Sequence, residues 1–445
     1  MHAPHPVSSE TISNPSTAIV ERAYWLPFIM VASLFLAWGV AGSLNDVLVR
    51  QFQKALALNR TQSSLIQFAF YVGYFCAALP AGLVIRRFGY KRAILAGLSL
   101  YAVGAMLFYP AAELERFSIF LAALYVIAIG LAFLETAANP YVSILGAPQT
   151  AASRLNLAQS FWCVGATLGP LIGGRFIFSG IEHSPAELAA MSAANLAAYR
   201  SSEAHMVQAP YLVVAGLVIL LAVAIGRTPF PVLAVERTGA DVTGRRPIFA
   251  VLRHRQLRYA VLAQFAYTGA QIAILSFFID FTKAVMPHMP ERTTAFFLSS
   301  SLALMFLGRL VGVVVQRKMH PARLLFFFCC GAMMLCAAAI LTHGVSAIAS
   351  LWGTAFFMSV IFPTVFSLGV TNLGDETGLG ASYLIMSVIG AALIPPLTGL
   401  VSDWQTGIQK AMTLPLVCLA VCAGYALAAP RLIAADGAQA SRTAR

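Results

Sequence analysis

The chain has 445 residues, of which 59% are apolar and only 10% charged, and its formal net charge is +12. A soluble domain carries roughly 25% charged residues, so this sequence lacks the polar surface that a globular enzyme, a nucleic-acid-binding module or a disordered regulator needs. A mean hydropathy of +0.79 points to repeated membrane crossing. Each span takes about 20 apolar residues, and the chain has room for twelve with short loops.

Residues 1–23 are polar and lack the basic start, short apolar run and cleavage site of a signal peptide. They read as a cytoplasmic N-terminal segment. Apolar segments follow at 24–49, 62–85, 92–112, 117–146, 154–180 and 207–226, then a basic stretch. Six more lie at 258–286, 294–316, 321–342, 344–372, 378–402 and 411–434. The expected fold is an all-α polytopic membrane protein with twelve transmembrane helices in two six-helix pseudo-symmetric halves. The bundles occupy 24–229 and 258–434, joined by a basic loop at 230–257. From Arg431 the chain turns polar and reads as mobile, with 435–445 a cytoplasmic tail. Within the loop at 181–206, Ser184-Pro185-Ala186-Glu187 suggests a capped surface helix.

Seven basic residues between Arg227 and Arg258 face two acids, Glu236 and Asp241, and further basic clusters occur at Arg86–Arg92 and Arg317–Arg323. All lie on one side if both termini are cytoplasmic, as the positive-inside rule requires. The loop carrying Arg50, Lys54 and Arg60 runs against it. The seven cysteines fall in apolar stretches without metal-ligand spacing to histidine and read as buried packing residues. No metal site and no catalytic residue is expected.

The halves repeat. Gly82-Leu-Val-Ile-Arg-Arg87 is echoed by Gly312-Val-Val-Val-Gln-Arg317, and Asn139-Pro-Tyr-Val-Ser-Ile-Leu-Gly146 by Phe362-Pro-Thr-Val-Phe-Ser-Leu-Gly369. Gly165-Ala-Thr-Leu-Gly-Pro170 is echoed by Gly390-Ala-Ala-Leu-Ile-Pro395. Two parallel six-helix units related by an axis along the membrane normal describe a transporter of the major facilitator type.

An ionised group within a span costs roughly 2.5 to 3.5 kcal/mol on insertion scales, and four are present: Asp46, Glu135, Asp280 and Arg309. Asp280 lies near a segment end and can reach water. Arg309 reads equally as a gating partner or as a structural tie to a backbone carbonyl. Asp46, in Ser43-Leu44-Asn45-Asp46, and Glu135 have no acidic counterpart in the repeat; Glu135 aligns with Met358. That one-sidedness favours function, since removal from water favours the neutral form of a carboxyl, as a proton carrier requires. Asn156 and Gln159, three apart and so on one helix face, align with Ala381 and Leu384. Amides suit hydroxyl-rich ligands, and Trp38, Phe161, Trp162 and Tyr267 offer faces for a sugar ring. Gln264, Tyr267 and Gln271 form a stripe in the seventh segment.

Around these residues the sequence resembles the fucose/galactose/glucose:proton symporter branch of the major facilitator superfamily. The resemblance rests on Ser43-Leu-Asn-Asp46, Gln67-Phe-Ala-Phe-Tyr71-Val-Gly-Tyr74, Leu134-Glu-Thr-Ala-Ala-Asn-Pro140 and Arg154-Leu-Asn-Leu-Ala-Gln-Ser160. In the second half it rests on Ala263-Gln-Phe-Ala-Tyr-Thr-Gly-Ala-Gln271 and Pro363-Thr-Val-Phe-Ser-Leu-Gly369. It covers the chain from the first span to Asp403. It implies proton-coupled uptake of a monosaccharide, with L-fucose first, by alternating access in the cytoplasmic membrane. Asp46 and Glu135 match the coupling acids, and Gln159 matches a sugar contact. Asn45, Trp38, Asn156, Trp162, Tyr267, Gln271 and Phe362 complete the candidate sugar site beside Glu135 and Gln159. Ser43, Trp162, Met305 and Phe362 stand where fucose-type members carry Asn, Asn, Phe and Tyr, which leaves galactose or glucose as alternative cargo. The proton is the coupling ion and no other cofactor is expected. Nor is an enzyme activity, a nucleic-acid partner or an obligate protein partner. An efflux pump for apolar drugs would share the fold but would favour an apolar lining over Asn156 and Gln159.

Overall fold

The structure, a computed structural model, describes residues 18–56, 60–172, 187, 190–231, 247–404 and 407–443; the side chains of 23, 45–56, 60–65, 67, 170–172, 291–292, 295 and 438–443 lie outside that description. The first bundle comprises Trp25–Leu56, Arg60–Phe88, Tyr90–Met106 continued by Phe108–Glu113, Phe117–Ile144, Ala151–Ile172 and Gln208–Arg227. The second comprises Arg255–Ser276 continued by Phe278–Val285, Glu291–Val315, Pro321–Leu341 and Gly344–Met358 continued by Ile361–Gly369. Thr377–Met386 then continues into Gly390–Trp404, and Thr413–Thr443 follows. Counting each continued pair once, these are the first to twelfth spans. Ten are long and apolar enough to cross a membrane, and an eleventh if the seventh, bent by 52°, counts as one. The fifth is described only as far as Ile172.

The repeat in the sequence is a repeat in packing. A side chain on Gly165 would run into the Leu36 carbonyl of the first span, and one on Gly390 into the Phe265 carbonyl of the seventh. Both glycines let two helix backbones touch at the matching place in each half, the close approach small residues permit.

The two halves meet where the second span ends and the eleventh begins, with Gly82 against Ser382 and Gly378. The fifth span also packs on the eighth. This is the end of the bundle carrying the central loop.

Several segment expectations are revised. The first helix runs on to Leu56 instead of stopping at 49. The tenth span breaks after Met358. Pro363 lacks the N–H that would bond the Ser359 carbonyl four residues back, and that carbonyl is used elsewhere. The polar C-terminus, expected to be mobile, is helical to Thr443. Asp436 is buried there and its Oδ2 accepts the Gln256 N–H at 3.1 Å, a carboxylate capping the start of the seventh helix. In the loop before the sixth span, Ser184 lies outside the described residues; the described helix, Ala193–His205, is capped by Ser192, whose Oγ accepts from Asn195 N–H.

Buried Arg154 ties down the same end. Its guanidinium donates to the carbonyls of Val142 (2.7 Å) and Ser143 (2.6 Å), to Ile19 O at 3.2 Å and to Thr150 Oγ1 at 2.8 Å. A cation thus closes the C-terminal turn of the fourth helix and fastens the chain before the first.

Candidate functional site

The fourth helix runs through Pro140 unbroken and presents Glu135 to the middle of the first bundle. With Ala138 and Leu134, Glu135 faces Leu34, Phe35 and Trp38 across a narrow cleft. Glu135 is 2% exposed, and no hydrogen bond of ordinary geometry reaches either carboxyl oxygen from the described residues. Asn139, one turn along, is its polar neighbour. Gln159 Nε2 donates to Asn139 Oδ1 at 3.0 Å, and Asn139 Nδ2 has no hydrogen bond of ordinary geometry among the described residues. The Trp38 and Trp162 rings lie 6.0 Å apart at 54°, and the Trp162 Nε1–H also has no partner among the described residues. Two acceptor oxygens and two donors are therefore buried and unused beside a pair of indoles. Buried polar groups are normally paired, so this set suits a ligand that brings both hydroxyls and a C–H face.

From the second half, Arg309 enters this region, 3% exposed. Its Nε donates to the freed Ser359 carbonyl at 2.9 Å, and its Nη1 donates across the interface to the Gln159 carbonyl. Its Cζ stands 5.6 Å from the Trp162 ring centroid. Tyr267 OH donates to Met358 O at 2.9 Å, and its ring meets Phe362 edge-on at 6.4 Å. Gln271 Nε2 lies 3.8 Å from Met305 Sδ.

A second polar cluster lies between the site and the central-loop end. Asn156 Nδ2 donates to Gln316 Oε1 and to Thr364 Oγ1, each at 3.3 Å, and Gln316 Nε2 donates to Thr364 Oγ1 at 3.1 Å. All three side chains are buried, and they join the fifth span to the eighth and tenth.

The structure places Glu135 opposite Trp38, with Trp162 beside Trp38 and Gln159 joined to Asn139, and Arg309 reaches Gln159 and Trp162 from the other half. The Tyr267–Met358, Tyr267–Phe362 and Gln271–Met305 contacts are made within the second half. Asn156 is spent in the inter-half cluster and does not line the cleft. The side chains of Asn45 and Asp46 lie outside the described residues. Asp280 is exposed in the first turn of Phe278–Val285. Asn139, Gln316, Thr364 and Ser359 were not singled out as site residues. Only Asn139 carried a signal: it stands four residues after Glu135, on the same helix face.

Residues 27–395 match the family described as Major Facilitator Superfamily. The chain belongs to the major facilitator superfamily. Within that superfamily it is 40% identical over 403 residues to the L-fucose-proton symporter of Escherichia coli (strain K12), covering 90% of this chain and 92% of that protein. It is 33% identical to the glucose/galactose transporter of Brucella abortus (strain 2308), over 95% of this chain and 97% of that protein. Its structure is similar to that of the major facilitator transporter FucP solved in the outward conformation. The TM-score is 0.84 at 38% identity, with 92% of this chain and 99% of that chain covered.

Proposed function

We propose that this protein takes up a monosaccharide, L-fucose first, together with a proton across the cytoplasmic membrane, by rocking of its two halves about the central site. The observation that carries the reading is Glu135: a carboxyl buried against two indoles, with unpaired donors at hand, on the fold of a superfamily whose 40%-identical member is an L-fucose-proton symporter. Asp46 takes a proton from outside. Glu135, with Gln159 and the Trp162 N–H, holds sugar hydroxyls and shares the proton, since a neutral carboxyl crosses a closed interior at lower cost than a charged one. Sugar and proton favour the same closed form, so each raises the affinity for the other. The basic central loop supports a cytoplasmic placing of that loop and of both termini. The protein acts as a single chain.

Galactose or glucose is the second reading, favoured by Trp162 and by Met305, whose thioether is the contact of Gln271. A site built for one pattern of hydroxyls rejects another by leaving polar groups unpaired, at about 1–3 kcal/mol each. Uptake of labelled L-fucose, galactose and glucose into proteoliposomes, with and without an imposed proton gradient, tests both. Accumulation of one sugar only under an inward gradient is the expected result. Equal uptake without a gradient, or none of any sugar, refutes the reading.

A further inference from the structure

Arg309 is buried within the eighth span, and no carboxylate pairs with it among the described residues. Its guanidinium is met instead by two carbonyls and a ring. One carbonyl, Ser359, belongs to its own half and is available because Pro363 has no N–H to offer it. The other two contacts, the Gln159 carbonyl and the Trp162 indole, belong to the opposite half. The repeat gives Arg309 the counterpart Leu79, so only one half carries this group. Gln159 in turn holds Asn139, the amide one turn from Glu135. A chain of contacts therefore runs from the second half to Asn139, one turn from the carboxyl.

We propose that Arg309 is a positioning residue of the transport site. By bridging one carbonyl in each half it holds Gln159 and the Trp162 indole in their binding arrangement while the central-loop end is closed, and it releases both when that end opens. The inference rests on the sugar-carrier reading above. When the halves part here, Arg309 keeps Ser359 and loses Gln159 and Trp162, so its contacts differ between the two states and bias their populations. A planar guanidinium can fork between acceptors and stack on an indole, whereas an ammonium is a point charge on a flexible stem. Lysine is therefore a poor substitute.

The test uses the full chain in proteoliposomes, comparing wild type with Arg309→Gln and Arg309→Lys. Two readouts are needed: the KM for the transported sugar, and backbone deuterium uptake around 156–163 and 356–363. Both variants are expected to raise KM about tenfold, within the usual range of coupling between sites, and to raise deuterium uptake in both segments. Arg309→Lys keeps the charge and the Ser359 contact, so it remains informative if Arg309→Gln does not fold. Faster exchange confined to 356–363 with unchanged KM would overturn the proposal, because a tie within one half predicts that result; so would full rescue by Arg309→Lys. If wild type moves no sugar, the carrier reading fails, and deuterium uptake at 156–163 still decides whether Arg309 holds the opposite half.

Discussion

In the proposed function Glu135 is both the titrating group and a ligand acceptor, and the two duties should separate on substitution. Glu135→Gln keeps the shape and one acceptor but loses the proton. Proton-driven accumulation should fall to the level of simple equilibration in proteoliposomes, while sugar exchange between the two sides persists at reduced affinity. Asp46→Asn should likewise abolish gradient-driven accumulation and leave exchange in place. Gln159→Leu leaves Asn139 Oδ1 buried without its donor; with 1.4 kcal/mol per factor of ten and about 1–3 kcal/mol per unpaired group, sugar affinity should drop about tenfold or more in a binding assay. Glu135 and Gln159 were legible in the sequence because an acid or an amide in an apolar run is costly and stands out. Gln316 and Thr364 were not. They look like ordinary helix residues until the two halves are brought together, and their partner Asn156 lies 160 and 208 positions away.

Among the helices, the glycines at the two equivalent crossings are the most sensitive points. Gly165→Leu and Gly390→Leu each force a side chain against a neighbouring carbonyl, and overpacking of this kind typically costs 1–3 kcal/mol. Both should lower the thermal unfolding temperature of the detergent-purified protein, by similar amounts if the packing repeat is energetically real. The number, order and approximate limits of the spans followed from apolar run length alone. The bend at Phe277 and the break after Met358 did not, because hydropathy records which residues leave water and says little about where a helix axis turns. Pro363 was visible as a breaker, but Pro140 occupies the matching place in the fourth helix without breaking it. The difference lies in whether a neighbour takes up the freed carbonyl, a tertiary matter. The helical C-terminus escaped for a similar reason: its polarity suggested solvent, and its order comes with the Asp436 cap on the seventh helix.

On the scale of the whole molecule, the closed end near the central loop has to open for cargo to leave. A Cβ at Gly82 would stand 3.2 Å from that of Ser382, close to disulfide range. The double variant Gly82→Cys/Ser382→Cys should cross-link under oxidation and lose uptake, then recover it on reduction, while each single variant keeps uptake under oxidising conditions. Uptake that survives complete cross-linking would mean the second and eleventh spans never part. The carboxyl, its amide neighbours and the paired indoles all ride on the first bundle, whereas the second sends Arg309 across to a carbonyl and an indole of the first. A hybrid pairing this first bundle with the second bundle of a distant superfamily member should therefore keep the carboxyl and the paired indoles and lose the bridge that Arg309 makes to Gln159.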